Sequence, residues 1–315
     1  MINRLYLATT PECAVHPDHR RNPERFATLL AVCATRRVEL VDSPIGADAI
    51  VFVGSVDHTL ADIRSTTTFR RNRDRCLVVH GGGDPWPALP GVYASIPRRW
   101  CDPRQHRAGF YLRVTVDTTI ESAVEVEPRH LYSFVGARGN GPIRDALFSL
   151  SAPNGLVVDS SRRRLPDAEA RKRFNDSLRD SLFVLCPGGL AASSFRIFEA
   201  MKAGRVPVVI ADQWVEPIGP DWAACSLRVR ERDIPGIPSL LSERAEAAYA
   251  MGRAARAAWE AWFSPRAAAG TILGWLDDIL DALPTKVAPV PFPMRPPIAM
   301  ADLRYRVKRL QRAAA

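Results

Sequence analysis

The stretch Leu182–Asp212, LFVLCPGGLAASSFRIFEAMKAGRVPVVIAD, decides how this chain is read. Two short apolar runs, Leu182–Cys186 and Val206–Ile210, bracket an amphipathic helix. The first run shows no alternation, which predicts a strand buried on both faces, and strands so joined by a helix belong to parallel sheets. Pro187-Gly188-Gly189 ends that strand. Ser193 or Ser194 is placed to cap the helix and Gly204 to end it. Ligands of such units sit beyond the carboxyl ends of the strands, where the polar residues of this stretch fall.

Arg196 and Glu199 are three apart, so they share one helix face near its start. A helix start offers free N–H groups to a phosphate, and arginine adds a bidentate fork. A carboxylate one turn deeper repels phosphate but accepts hydrogen bonds from sugar hydroxyls. The set suits a nucleotide, with Ser194 and Arg196 toward a diphosphate and Glu199 toward a ribose. A surface Arg–Glu pair worth about 0.2–0.5 kcal/mol fits the same spacing, and spacing alone leaves both readings open.

Leu131–Val135 opens a second unit of this kind, followed by Gly136-Ala137-Arg138-Gly139-Asn140-Gly141 and by Pro142 at a first helical position. Arg144 in the first turn opposes the helix dipole, a conflict that a bound anion relieves. A flexible surface turn is the plainer alternative. The loop is neither G-x-G-x-x-G nor a Walker A sequence, so neither a dinucleotide cofactor nor ATP hydrolysis is indicated.

The rest of the chain supplies the frame. Its 315 residues suit two domains. A content of 47% hydrophobic and 24% charged residues is that of a globular protein and excludes a disordered one. Apolar runs are too short to span a membrane, and MINRLYLATT lacks the apolar core of a signal peptide, so a cytoplasmic protein is expected. The six cysteines form no C-x-x-C pair and no zinc spacing, so reduced thiols and no metal are expected, with Cys76 and Cys186 as small buried hydrophobes. A net charge of +9 suits anionic partners. Much of it lies in three clusters: Arg70, Arg71, Arg73 and Arg75; Arg162–Arg164; and Arg304, Arg306, Lys308, Arg309 and Arg312. Each reads as solvated surface, because no nucleic-acid-binding motif accompanies them.

Strands are predicted at Arg4–Ala8, Val38–Val41, Ala49–Gly54 and Cys76–His80, with a helix over Pro23–Cys33. Residues 85–105 read as irregular, Phe110–Val116 as a closing strand and 117–130 as a polar linker. Beyond it come a strand at Leu156–Val158, a helix over Ala168–Asp180, a strand at Ser226–Val229, and helices over Ser239–Phe263 and Ala267–Leu283. A Pro-rich segment and a basic helix, Ala301–Ala314, end the chain. The domains expected are thus 1–125, 126–283 and a terminal 284–315.

Over residues 131–263 the sequence resembles the exostosin-like glycosyltransferases. The matching pieces, in order, are Ser133–Arg138 with Arg144, Ser181–Gly189, Ser194–Met201, Gly204–Ile210, Asp221-Trp222 and Leu227–Ile234. The resemblance implies an α/β chain of GT-B type: two Rossmann-like domains facing a cleft, with a C-terminal helix crossing back. It implies inverting transfer of a sugar from a nucleotide donor, usually UDP-linked, held by the second domain, with no cofactor besides that co-substrate. Arg138, Arg196 and Glu199 carry over as donor contacts, and Arg144, Gly188, Ser193 and Ser194 join them by position. The acceptor would be a glycan, a lipid-linked sugar or a small molecule.

An inverting transfer needs a base for the acceptor hydroxyl, expected in the first domain. His80 and Asp84, flanking Gly81-Gly82-Gly83 at a strand end, are the first choice, and Asp57-His58 the second. A satisfied strand-end histidine and a turn aspartate are the plainer readings. No Asp-x-Asp occurs, so a metal-independent mechanism is expected. Asp277-Asp278 reads as the solvent face of an amphipathic helix. The basic terminal helix is a candidate contact for the inner face of a membrane, or for the protein's own domains. Two rivals remain open: a non-catalytic nucleotide-sugar-binding subunit of a glycan assembly system, and a nucleic-acid-binding protein carried by the arginine clusters.

Overall fold

Consecutive apolar residues cannot alternate between core and solvent, so they pair inside sheets covered on both faces. In the computed structural model of the protein they form two parallel sheets. Residues 1–10, 17–54, 58–82, 87–138, 141–161, 167–189 and 191–283 are described, with residues 300, 303 and 307. One unit comprises Met1–Arg113 and Pro265–Ala315, the other Val114–Ser264.

The first unit contains β1 (Arg4–Ala8), α1 (Pro17–Val32), β2 (Glu39–Leu40), β3 (Ala49–Gly54), α2 (His58–Ser65), α3 (Thr67–Arg71), β4 (Cys76–His80), β5 (Gly91–Tyr93) and β6 (His106–Ala108), and α4 (Leu112–Val116) straddles its end at Arg113. The sheet order is β2-β1-β3-β4-β5-β6, every pair parallel. All residues of β3 and β4 are buried. Two expectations fail here. The segment 85–105 is not wholly irregular, because β5 lies in it. The closing strand is His106–Ala108, which pairs with β5, and Leu112–Val116 forms a short helix. Helix α1 begins before Pro23 and carries it internally.

The second unit contains β7 (His130–Gly136), α5 (Pro142–Leu147), β8 (Gly155–Asp159), α6 (Asp167–Arg179), β9 (Ser181–Pro187), α7 (Phe195–Ala203), β10 (Val206–Ile210), α8 (Trp222–Cys225), β11 (Leu227–Arg228), α9 (Ile237–Glu243) and α10 (Ala245–Trp262). The predicted helix over Ser239–Phe263 is two helices, separated at Arg244. The sheet order is β11-β10-β9-β7-β8. Tyr132, Phe134, Phe183, Leu185, Val206, Val208 and Ile210 build its core with Ile237 and Leu241. Gly204 ends α7 with φ +75°, a left-handed cap that any other residue would strain, and an added Cβ would meet Val124 Cγ2 at 2.4 Å.

The boundary falls at 113/114, not 125/126, and the chain re-enters the first unit at Pro265. Helix α11 (Ala268–Ala282) therefore packs on α1, β5 and β6, and is not part of the second unit. Its Asp277 is not a solvent-facing residue. The carboxylate accepts from the Ile2 N–H at 2.7 Å and pairs with Arg36, while Asp278 is exposed. The Pro-rich segment and most of the terminal helix lie outside the described residues, as do Arg162–Arg164; Met300, Leu303 and Val307 are helical and exposed. Arg70, Arg71 and Arg73 are exposed as expected, and Cys76 and Cys186 are buried. Among the described residues no helix is long and apolar enough to cross a membrane. Each unit is α/β with a parallel sheet, the two Rossmann-like units expected of a GT-B-type chain.

Candidate nucleotide-sugar site

In the second unit the chain runs from β7 out to β8, then back across β7 to β9. The order reverses between β7 and β9. Loops leaving the carboxyl ends of these two strands must diverge, which opens a crevice there. Gly136 ends β7, and Pro187-Gly188-Gly189 ends β9.

Arg196, in the first turn of α7, reaches across this crevice. Its Nη2 donates to the Val135 carbonyl at 2.5 Å, and its guanidinium lies 5.2 Å from the Phe134 ring and 5.8 Å from the Phe174 ring. Gly136 makes room for it: an added Cβ would sit 3.3 Å from Nη2 and 2.8 Å from Phe134 Cζ. Arg144, from α5, lies against the other strand end, its Nε and Nη2 each 3.5 Å from where a Gly189 Cβ would stand. Burial first, and then the charge of Arg144, hold the Arg196 guanidinium below the ordinary arginine value. Burial alone does so for Arg144. The Nε atoms of both are buried and find no hydrogen-bond partner among the described residues. Two like charges therefore share one strand-end site with donor capacity unmet, the electrostatic complement of an anion.

The other expected contacts surround this pair. Ser194 is the N-cap position of α7, buried, and its side chain makes no capping bond. Ser193 is buried beside it. Gly188 donates its N–H to the Ile210 carbonyl at 2.9 Å, and a Cβ there would press on Ala211 at 3.2 Å. Glu199 is not half of a surface pair. It is 5% exposed, and its Oε1 accepts from Arg171 Nη1 at 3.3 Å. Arg138 stands apart in its contacts: Nε donates to Asp159 Oδ2 at 3.1 Å, and the guanidinium stacks over Phe148 at 4.4 Å. The structure thus brings Arg144, Gly188, Ser193, Ser194 and Arg196 to one strand end, with Arg138 engaged next to β8.

Sequence reasoning missed Gly136, the Phe134 and Phe174 rings, and Arg171. Phe134 stood in a quoted strand without a role. Arg171 sits in a charged helix face and gives no signal by spacing.

In the first unit His80 ends β4 and is 1% exposed. Its Nδ1 accepts from the Gly82 N–H at 3.3 Å, and its ring lies 5.9 Å from that of Tyr93. A general base must reach the proton it takes, and His80 stands buried at its strand end with Nδ1 engaged. Asp84 and Asp57 lie outside the described residues, and so does the side chain of His58. Among the described residues no group of three or more His, Cys, Asp or Glu could hold a metal.

The switch point of this parallel α/β unit is basic and lined by glycines. Residues 105–243 match the Exostosin GT47 domain, so this part of the chain is similar to that family. The match begins earlier and ends earlier than the 131–263 expected. The chain is 35% identical to the exostosin-1 homolog of Caenorhabditis elegans over 142 residues, 38% of this chain and 37% of that one. It is 29% identical to exostosin-1 of Drosophila melanogaster over 176 residues, 49% of this chain and 23% of that one. The chain thus spans well under half the length of these relatives. Among solved structures, MurG of Acinetobacter baumannii aligns with a TM-score of 0.37 at 12% identity, covering 89% of this chain and 99% of that one.

Proposed function

We propose that the protein transfers a sugar from a nucleotide donor, UDP-linked, to a hydroxyl of a glycan, lipid-linked or small-molecule acceptor. Inversion at the anomeric carbon and independence from metal belong to the same proposal. The observation that carries it is the Arg144–Arg196 pair, two part-buried guanidinium groups at a switch point whose Nε atoms find no partner among the described residues. A diphosphate offers oxygens to both and offsets their mutual repulsion.

The chemistry follows from that placement. The acceptor oxygen attacks the anomeric carbon from the face opposite the diphosphate and loses its proton to a base. The bond to the diphosphate breaks with its electron pair, so negative charge grows on the leaving group. Cations fixed beforehand beside that group stabilise the transition state without reorganising. Glu199 is proposed for the ribose hydroxyls. His80, and Asp84 four residues further along the sequence, remain our candidates for the base.

Thermal-shift measurements with a panel of nucleotides and nucleotide sugars test the reading. A ligand at a hundred times its Kd stabilises by about 2.7 kcal/mol. UDP and UDP-sugars are expected to raise the Tm and GDP to leave it unchanged. A chain indifferent to every nucleotide and nucleotide sugar refutes the proposal.

A further inference from the structure

Glu199 is held by a residue that no motif of this chain pointed to. Arg171, on α6, uses its two terminal nitrogens on two different carboxylates. Nη1 meets Glu199 Oε1 at 3.3 Å, and Nη2 meets Asp117 Oδ2 at 3.4 Å. Asp117 is itself fixed, accepting from the Thr119 N–H at 2.8 Å and from the Thr119 hydroxyl at 2.7 Å. The Thr119 carbonyl in turn accepts from Asn175 Nδ2 at 2.7 Å, one turn along α6 from Arg171. The Arg171 guanidinium lies 5.8 Å from the Phe174 ring. The side chains of Glu199, Asp117 and Arg171 are 6%, 13% and 30% exposed, so the two carboxylates are anchored in the interior and the arginine bridges them from the rim.

A carboxylate rotating freely loses entropy each time it binds two neighbouring hydroxyls. One locked by a guanidinium has already lost it. A carboxylate accepts about four hydrogen bonds, and the Arg171 contact engages the Oε1 of this one. We propose that Arg171, braced by Asp117, is the positioning residue that presents the Glu199 carboxylate to the ribose hydroxyls of the donor. This rests on the reading of Glu199 given above.

The test compares UDP with 2′,3′-dideoxy-UDP by calorimetry on the full chain. Hydroxyls bonded to a charged acceptor make wild type prefer UDP by about tenfold or more. In Arg171→Met that preference is expected to fall toward unity, as it does in Glu199→Gln, while the dideoxy nucleotide binds as before. Arg171→Lys, which keeps a charge but cannot span both carboxylates, is expected to retain part of it and guards against a Met variant that does not fold. An Arg171→Met or Arg171→Lys protein that weakens both nucleotides equally, with the preference intact, shows Arg171 to be merely structural and overturns the proposal. A wild type that binds UDP without discriminating overturns it through Glu199. A wild type that binds neither nucleotide overturns the donor-site reading, and the positioning role falls with it.

Discussion

Arg196 Nη2 donates to the Val135 carbonyl at 2.5 Å, tying the start of α7 to the end of β7 across the switch point. The bond uses one terminal nitrogen and leaves Nε buried with no hydrogen-bond partner among the described residues. One arginine therefore both closes the crevice structurally and presents donors within it.

Gly136→Ala tests how tightly that geometry is set. The new methyl would press on Phe134 Cζ and displace the Arg196 guanidinium. Overpacking of this kind costs about 1–3 kcal/mol. Urea denaturation is expected to show a loss in that range, and nucleotide affinity to fall by about tenfold as Arg196 moves. Unchanged affinity despite lowered stability would mean that Arg196 is not a ligand contact.

Arg144→Met separates stability from function. The substitution removes a part-buried cation that repels Arg196 and has no hydrogen-bond partner for its Nε among the described residues. A methionine of similar reach keeps the packing, so the unliganded Tm is expected to hold or rise while UDP affinity drops by about tenfold or more. A lower Tm with unaltered affinity would reverse the assignment and make Arg144 a structural residue.

Much of this fold was legible because apolar runs have few options. Arg4–Ala8, Ala49–Gly54 and Cys76–His80 are strands with the ends the sequence predicts. The misses have physical causes. Strands β5 and β6 have three residues each, and His106 and Arg107 are not strand-like by composition. Their slot in the sheet being filled, Leu112–Val116 coils into a helix despite two valines and a threonine, since β-propensity reflects packing more than backbone preference. Helix α11 gives no local sign of which unit it covers. At the site, the spacing of Arg196 and Glu199 left a ligand pair and a surface pair open, and the burial of Glu199 removes the surface pair. Arg171 and Gly136 were not legible, because they arrive from separate elements through the sheet's parallel order.

His106 gives the first unit a defined acid sensitivity. It is 5% exposed, its Nδ1 accepts from the Asp102 N–H at 3.1 Å, and burial lowers its pKa to about 4. The native state keeps the ring neutral, while the unfolded chain takes up a proton below about 6.5. Stability from this group is thus complete above about pH 6.5 and is lost as the pH falls toward 4. Between pH 8 and pH 5 the loss is about 2 kcal/mol. His106→Gln should flatten the slope of unfolding free energy across that window. Asp102, lowered to about 2 chiefly by its hydrogen bond from Arg104, acts only at lower pH. A wild type with no slope between pH 6.5 and 5 contradicts the placement of His106.

Asp277 and Asp278 are neighbours with unequal roles. Asp277→Ala strips the acceptor from the Ile2 N–H and from Arg36, whose side chains are 15% and 17% exposed for the aspartate and the arginine. A loss of about 2 kcal/mol is expected, below the full value for a buried pair because water reaches both groups. Asp278→Ala, at an exposed position, is expected to change stability by less than about 0.5 kcal/mol. Equal effects in urea denaturation would show that α11 does not anchor the N-terminal strand region as described.

The central claim is that Arg144 and Arg196 together hold the donor diphosphate. Calorimetric titration of UDP and of uridine into wild type and into Arg196→Ala tests it most directly. The expected result is that wild type binds UDP far more tightly than uridine, and that Arg196→Ala binds the two alike. A variant that still prefers UDP by the wild-type margin would contradict the account.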